Sequence, residues 1–390
     1  MIPKREPYKT ILKISTIFGL WNDISKWHKR ISIFLILICS VGYTAIVTLS
    51  ALQVKELDDV IEIIKVAPLL LTVNFSLLTF LFKKPKIREL LELIENIEEL
   101  RPDSKNYFDE AFKVVKRLFL CEVVFIGLLA VPFISIPLIL KKLIFPLYIP
   151  ESVKDHQITF IIAWIFESFS GLYCGVLYLL IYEFQLSIFI VLNCYMKFFR
   201  DKLKRLRASK ENSIEAKNQL VDCVKIHREM NKFMDIFTEI FSLPIIGLLF
   251  FAALSVCANT FTILTLKPNS GLKLDLFLIV YEIFIFGMIF IPCFHANTIK
   301  YQSDKFLYDL FSSDWIDSLP EHQKFMIIFS ENLKRKIIFQ TLTFIEIDLQ
   351  LFMDVRCLAF EFHTNFKYFF FNSKLIQFVY SMYAVFKSII

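Results

Sequence analysis

The ionisable side chains inside the long apolar runs of this sequence are the residues whose chemistry has to be explained first. Lys65, Glu122, Glu167 and Glu282 each lie in a stretch that is otherwise almost entirely apolar. A charged group inside a membrane is costly, so such residues often have a function. Lys65 and Glu122 lie near the ends of their runs, from which a long side chain reaches the interface. Glu167 and Glu282 lie deeper and could line a wet vestibule or a ligand cavity.

Residue patterns typical of enzymes are absent from the sequence. It contains no Gly-rich phosphate loop, no Gly-x-Ser-x-Gly and no His-Glu-x-x-His. Its six histidines are scattered without the spacing of metal ligands. We therefore expect a protein that is not an enzyme, with no catalytic residue, no metal site and no cofactor. Nucleic acid is not an expected partner.

Apolar runs long enough to cross a membrane dominate the sequence. Hydrophobic residues make up 56% of the chain and charged residues only 21%, which is more apolar than a soluble core requires. A membrane helix needs about 20 largely apolar residues. Windows of this kind occur seven times, at 31–52, 61–82, 118–140, 158–182, 241–266, 275–297 and 366–386. The predicted fold class is therefore an all-α, seven-transmembrane helical membrane protein that lies in a lipid bilayer.

The distribution of Lys and Arg predicts the orientation of these spans. Basic loops tend to remain in the cytoplasm. Most of the 44 Lys and Arg residues lie in segments 1–30, 83–117, 195–240 and 298–365. These segments share one side of the membrane, so we predict an inverted topology with the amino terminus inside and the carboxyl terminus outside. A G-protein-coupled receptor has the opposite orientation, and its Asp-Arg-Tyr and Asn-Pro-x-x-Tyr motifs are missing here.

The cytoplasmic segments carry helical patterns of their own. Segment 86–100 has an apolar stripe with glutamates on the opposite face, formed by Ile87, Leu90, Leu91, Ile94 and Ile97. Stretch 214–240 continues the same period towards the fifth span, and 331–360 adds a mixed apolar and charged helix. We predict cytoplasmic helix extensions that pack together as an intracellular anchor. Helices that lie flat on the bilayer surface are the alternative.

These patterns divide the chain into four predicted regions. Residues 1–30 form a cytoplasmic amino-terminal segment, and 31–297 contain six transmembrane helices with a ligand cavity in their outer half. Residues 298–365 form cytoplasmic anchor helices, and 366–390 form the last transmembrane helix.

The outer halves of spans two, three, four and six share aromatic and aliphatic residues with few polar ones. Such walls suit a small uncharged ligand that is held by dispersion and an occasional hydrogen bond. Ordinary helix packing is the alternative. The candidate ligand-binding residues are Val73, Asn74, Phe125, Ala130, Phe133, Phe166, Ser170, Tyr173, Tyr281 and Phe284.

Two stretches near the end of the chain carry a recognisable pattern. "CFHANTIKYQSDKFLYDLFSSDW" (293–315) resembles the exit of the sixth span of insect odorant receptors, with Ala296 where that family usually has Gly. "FNSKLIQFVYSMYAVFKSII" (371–390) resembles the family's ending with its Tyr-Ser pair. The spacing of His227 and Phe233 also matches. The loop between spans four and five is shorter than the enlarged loop of the family's co-receptor, so the chain resembles a ligand-tuning subunit.

The resemblance implies an odorant-gated, non-selective cation channel of four subunits, in which the last helix of each subunit lines a central pore. It implies a small hydrophobic volatile ligand, a co-receptor as partner in a hetero-tetramer, and the plasma membrane of an olfactory sensory neuron dendrite. The family's hydrophobic gate falls on Val385 and Ile389, with Ser381 as a further pore residue. A ring of aliphatic side chains can close a pore by dewetting. Contact with neighbouring helices is the alternative role for this face.

Three other classes remain open from the sequence. A gustatory receptor of the same superfamily has a similar topology and pore. A G-protein-coupled receptor would require the opposite orientation. A secondary transporter would show repeat symmetry and spans broken by Gly or Pro, and only the prolines of the third span point that way.

Overall fold

The structure is a computed structural model. It describes residues 8–21, 25–53, 57–145, 147–149, 156–206, 213–265, 272–313, 315–316, 319–341 and 345–354. The described residues form ten α-helices and one two-stranded sheet. The elements are α1 (Tyr8–Ile17), α2 (Lys26–Ile36), α3 (Tyr43–Leu49), α4 (Leu57–Phe82), α5 (Lys84–Leu100), α6 (Lys105–Leu140), α7 (Gln157–Lys204), α8 (Ser213–Thr265), α9 (Leu272–Phe311), α10 (Pro320–Leu333), β1 (Gln340–Thr341) and β2 (Ile345–Glu346).

Six helical segments in the described part of the chain are long and apolar enough to cross a membrane. They overlap the first six windows that the sequence predicts, and they run over Lys26–Gln53, Val60–Phe82, Pro102–Ile139, Gln157–Lys204, Ile214–Asn259 and Ile279–Phe311. The seventh window, 366–386, lies outside the described residues. The gate residues Val385, Ile389 and Ser381 lie outside them as well.

The first span is a helix with a bulge in its middle. The hydroxyl of Ser25 accepts a hydrogen bond from the backbone N–H of His28 at 3.1 Å, which caps the start of α2. A turn of π-helix, Leu37–Gly42, separates α2 from α3. Such bulges are frequent at functional sites. Here the bulge directly precedes Tyr43, a buried residue that reappears at the candidate site.

Helices α7 and α8 are much longer than a membrane is thick. They contain 48 and 53 residues, and at about 1.5 Å per residue each exceeds 70 Å. The apolar part of a bilayer is only about 30 Å thick. Both helices therefore continue well beyond it, as the pattern in 214–240 predicts for α8. The apolar stripe predicted for 86–100 is buried in α5, which packs on α8.

A cluster of charged residues joins these extensions outside the predicted spans. Arg101, at the end of α5, is hydrogen-bonded to Asp222 and, at 3.1 Å, to Glu229 of α8. The hydroxyl of Tyr195 on α7 donates to Glu229 at 2.7 Å. Burial alone would raise the pKa of Asp222, but hydrogen bonds from Arg101 and Lys202 outweigh burial and hold this pKa below its ordinary value. The cluster fastens α5, α7 and α8 to one another.

The helix predicted over 331–360 is wrong for its middle part. Helix α10 ends at Leu333, and β1 pairs with β2 in antiparallel register, with Gln340 opposite Glu346. Alternate residues in this region are buried: Ile337, Phe339, Thr341, Ile345 and Ile347. A period of two suits an extended chain and not a helix. The hairpin therefore fills the space beneath α8 and α9 with every second side chain.

Candidate ligand cavity

A cavity of about 210 Å³ lies between α3, α4, α6, α7 and α9. Its walls are almost entirely aromatic and aliphatic, with Tyr43 contributed by the first span and Tyr178 by α7. An apolar cavity of about 150 Å³ is large enough to bind benzene. The cavity therefore suits a molecule of roughly eight non-hydrogen atoms on the same scale.

Two glycines of α7 create part of this space. Gly171 and Gly175 are one helical turn apart, and both line the cavity. A side chain added at Gly175 would meet no atom within 4 Å, so the space in front of it is open. A methyl group on Gly171 would lie 2.7 Å from the ring of Phe133. One glycine therefore leaves room for a ligand, and the other lets an aromatic wall residue approach α7.

Five of the ten predicted ligand-binding residues line the cavity. They come from three helices, since Val73 lies on α4, Ala130 and Phe133 on α6, and Tyr281 and Phe284 on α9. On each of these helices the lining residues follow a spacing of three and four. The structure thus brings these five side chains together around one space.

The predicted residues of α4 and α6 that lie outside this lining support the wall from behind. The side chain of Asn74 accepts a hydrogen bond from the hydroxyl of Ser40 at 2.8 Å and donates one to Thr44 at 2.7 Å. It therefore fastens α4 to the first span. The ring of Phe125 stacks on that of Phe284, with 5.5 Å between centroids.

The three predicted residues of α7 also lie outside the lining. The ring of Phe166 packs edge-on against Tyr43 at 5.9 Å, Ser170 is fully buried, and Tyr173 lies 5.8 Å from Phe18. These residues share one stripe of α7. The cavity-facing stripe with Gly171 and Gly175 is turned by roughly 100°, which is one residue step on a helix.

Sequence reasoning missed Tyr43, Phe145 and the two glycines. Tyr43 belongs to the first span, and Phe145 to the segment that follows α6, neither of which was considered as wall. A signal for the glycines exists in the sequence. The chain has only 8 Gly among 390 residues, so two of them one turn apart in a bulky transmembrane helix indicate a close approach or an open space.

The four ionisable residues of the spans have different surroundings. Glu122 is 8% exposed and faces Glu183 of α7, so the expectation that it reaches the interface is wrong. The packing of α6 on α7 covers it. Glu282 accepts a hydrogen bond from Asn259 of α8. Glu167 accepts one from the backbone N–H of Phe145 at 2.7 Å. Lys65 is partly exposed.

The polar groups at the cavity wall are few. The hydroxyl of Tyr43 is buried and has no hydrogen-bond partner in the described part of the chain. The thiol of Cys174 donates to the backbone carbonyl of Cys39 at 3.1 Å, so its polar atom is already in use. The wall therefore offers a large dispersion surface and little scope for binding a charged molecule.

Comparison with known proteins connects this arrangement to receptors. Odorant receptor 33b of Drosophila melanogaster is 18% identical over 374 residues, which are 93% of this chain and 97% of the relative. Two structures of the insect olfactory receptor OR5 from Machilis hrabei, one of them in complex with eugenol, superpose with a TM-score of 0.74 at 13% and 14% identity. The match covers 91% of this chain and 95% and 96% of theirs.

The structural comparison and the family model lead to the same assignment. The likeness to the OR5 structures confirms the predicted all-α, seven-transmembrane fold class of inverted topology. Residues 59–360 match the family model described as "7tm Odorant receptor". Because this match spans most of the sequence, the chain belongs to the 7tm odorant receptor family.

Proposed function

We propose that this chain is the ligand-tuning subunit of an odorant-gated cation channel and that the cavity between α3, α4, α6, α7 and α9 is its odorant-binding site. The observation that carries the proposal is the apolar cavity in the outer half of the predicted spans. Its residues include Val73, Ala130, Phe133, Tyr281 and Phe284. The other five predicted residues support the wall through contacts outside the lining, and they are Asn74, Phe125, Phe166, Ser170 and Tyr173.

Membership of the family confirms two predictions made from the sequence, namely an odorant receptor and a protein that is not an enzyme. The gustatory and G-protein-coupled alternatives are not favoured. The class of ligand, the position of the gate, the partner subunit and the location at the cell surface are part of our proposal.

The ligand that this cavity suits is small, uncharged and largely apolar. The related OR5 receptor has a solved complex with eugenol. In this chain the volume of about 210 Å³ corresponds to a molecule of about eight non-hydrogen atoms. The hydroxyl of Tyr43 is buried, so dispersion contacts with the aromatic and aliphatic wall are the main interaction that the cavity offers a ligand.

The gate belongs to the last span. In the proposal Val385 and Ile389 form an aliphatic constriction and Ser381 lines the pore below it. All three lie outside the described residues, and the resemblance of the chain's ending supports them. A ligand can open the pore only if it binds the open state more tightly than the closed one. Spreading of the last helices would then hydrate the constriction.

The assembly proposed is a hetero-tetramer with the odorant receptor co-receptor in the plasma membrane of the olfactory sensory neuron dendrite. Each of the four predicted regions then has one role. Residues 1–30 are the amino-terminal segment and 31–297 the ligand-binding bundle. Residues 298–365 are the anchor and 366–390 the pore helix. The charged cluster around Arg101 joins α5 to α8 within the bundle region.

Current recording tests this function. Cells that express the chain together with the co-receptor, and cells with either subunit alone, are exposed to a panel of volatile odorants. A non-selective cation current that requires both subunits is expected. Val385→Cys should make the activated current sensitive to a thiol reagent added outside. A receptor that reaches the surface and gives no current with any odorant, or a Val385→Cys channel indifferent to the reagent, would contradict the binding and gating proposals respectively.

A further inference from the structure

The short segment after α6 lies over the outer end of the cavity. We call residues 141–145 and 147–149 the cap segment. It begins at Lys141, which adopts the left-handed conformation at φ 52° and ends α6. Its odd-numbered side chains pack on the first span, α4 and α7, and these are Leu143, Phe145, Leu147 and Ile149. The apolar side chains of the segment therefore pack on the outer end of the bundle.

Phe145 connects the cap segment to the cavity itself. Its side chain lines the cavity, and its ring lies 5.7 Å from that of Phe133. Phe145 is the cap-segment residue that belongs to this lining. Its position consequently determines how far the cavity is closed on the outside.

Several hydrogen bonds hold the cap segment in place. The side chain of Gln53 donates to the carbonyl of Ile149 at 2.6 Å and accepts from its N–H at 3.3 Å. These bonds lie four residues from Phe145. An exposed ion pair joins Lys142 to Glu62 at 3.2 Å, and such pairs contribute little. The bond made directly to Phe145 comes from the Glu167 carboxylate, which accepts its backbone N–H at 2.7 Å.

Burial of the Glu167 carboxylate is energetically unfavourable. It is 1% exposed, and its second carboxylate oxygen has no hydrogen-bond partner among the residues that the structure describes. Buried acidic groups in a membrane protein are costly and are often kept for a function. The carboxylate oxygen that accepts this hydrogen bond holds the backbone of Phe145, a residue of the cavity wall. Its effect is therefore to fix the position of that residue.

We propose that Glu167 is a positioning residue for odorant access: by holding the backbone of Phe145, it keeps the cap segment closed over the cavity and limits the size of odorant that enters. The inference rests on the proposed odorant site and adds a determinant of its selectivity. A larger odorant that enters past the cap segment pushes on the ring of Phe145, and the hydrogen bond from its backbone N–H to Glu167 resists the accompanying shift of the backbone. Loss of this bond should widen the accepted size range and shorten the time that a bound odorant stays.

Two substitutions of Glu167 separate positioning from charge and packing. Glu167→Gln keeps an oxygen that accepts the N–H of Phe145, whereas Glu167→Leu keeps similar volume and removes the acceptor. Lys142→Ala is the matched control because it breaks the exposed ion pair of the same segment. The chain is expressed with the co-receptor, and currents are recorded for a homologous series of odorants of increasing length.

The expected result for Glu167→Leu is current decay after washout that is several-fold faster, together with responses to longer members of the series. Glu167→Gln and Lys142→Ala should behave like the parent channel. Unchanged size selectivity and decay in Glu167→Leu at normal surface level would overturn the proposal, as would an equal loss of response to every odorant. If Glu167→Leu does not reach the surface, Phe145→Ala provides the test, since removal of the ring should widen the size range and unchanged selectivity would overturn the proposal.

The experiment also separates this inference from the proposed function. Gly175→Leu places a side chain in the cavity from α7 and keeps both partners of the hydrogen bond between Glu167 and Phe145 that the other variant removes. If Gly175→Leu abolishes responses and Glu167→Leu changes neither selectivity nor decay, the cavity is the site and the role of Glu167 is wrong. If neither variant changes any response, the site itself is wrong.

Discussion

The ring of Phe133 on α6 occupies the space in which any side chain on Gly171 of α7 would lie, since an added Cβ would come within 2.7 Å of it. The two residues face the same cavity. The shape of the cavity wall thus depends on the absence of a single methyl group.

Gly171→Ala is expected to change odorant selectivity. The new methyl group must displace the ring of Phe133, because neighbouring carbon atoms do not approach to 2.7 Å. The displaced ring changes the cavity wall, so we expect the half-maximal concentration of the best odorant to rise about tenfold, which corresponds to about 1.4 kcal/mol of binding free energy. Dose–response currents measure this change. Gly127→Ala on the exposed face of α6 is the control, since its Cβ would meet no atom within 4 Å. Identical curves for the two variants would refute the packing argument.

Arg101→Met is expected to destabilise the anchor. The substitution keeps much of the aliphatic packing but leaves Glu229 without its guanidinium partner and weakens the pairing of Asp222. Loss of a buried pair costs about 3–5 kcal/mol. We expect about 2 kcal/mol here, because the two carboxylates are still 31% and 25% exposed.

Thermal unfolding of the solubilised protein measures the effect of Arg101→Met. Lys334→Met is the control, because Lys334 and Glu331 form an ion pair that is 56% and 64% exposed. This control should unfold at the parent temperature. Equal behaviour of the two variants would show that the Arg101 cluster does not stabilise the anchor.

The stability of the anchor should fall in mild acid because of His227. Burial lowers the pKa of His227 to about 4, and its ring lies among Phe199, Phe306 and Phe329. An unfolded histidine takes up a proton near pH 6.5. Between about pH 6.5 and pH 4 the unfolded state binds a proton that the folded state does not. The contribution of neutral His227 to the free energy of unfolding is therefore fully present above pH 6.5, and it is lost as the pH falls towards 4.

His227→Phe tests this dependence, since phenylalanine fills a similar space and does not titrate. The unfolding temperature of the variant should fall less steeply between pH 6.5 and pH 4.5 than that of the parent. The comparison uses the difference between two proteins and so removes the contribution of other titrating groups. Parallel pH profiles would contradict the assignment to His227.

Hydropathy and helical periodicity were sufficient to predict much of the fold. The first six apolar windows coincide with membrane-length helices, and every residue of the predicted stripe from Ile87 to Ile97 is buried. These patterns depend only on the spacing of apolar residues that are close together in the sequence. The hairpin of 337–347 escaped prediction because a short run of apolar residues does not by itself distinguish periods of two and 3.6.

The candidate site was less predictable because it depends on helix rotation. Val73 and Asn74 are adjacent in the sequence, yet one lines the cavity and the other fastens α4 to the first span. On α7 the predicted residues Phe166, Ser170 and Tyr173 lie on the stripe beside the one that lines this cavity. Composition identifies which helices surround an apolar space. Only the packing of neighbouring helices decides which face of each one borders it.

The most direct test of the odorant site is the response of Gly175→Leu beside that of Gly127→Leu, each recorded with the co-receptor at matched surface level. An added Cβ at Gly175 meets no atom within 4 Å, so the leucine side chain should take up part of the cavity that a ligand needs. Gly127 lies on an exposed face and also has no atom within 4 Å of an added Cβ. We predict that Gly175→Leu abolishes odorant-evoked current and that Gly127→Leu retains it. Full odorant responses in Gly175→Leu would contradict the assignment of this cavity as the binding site.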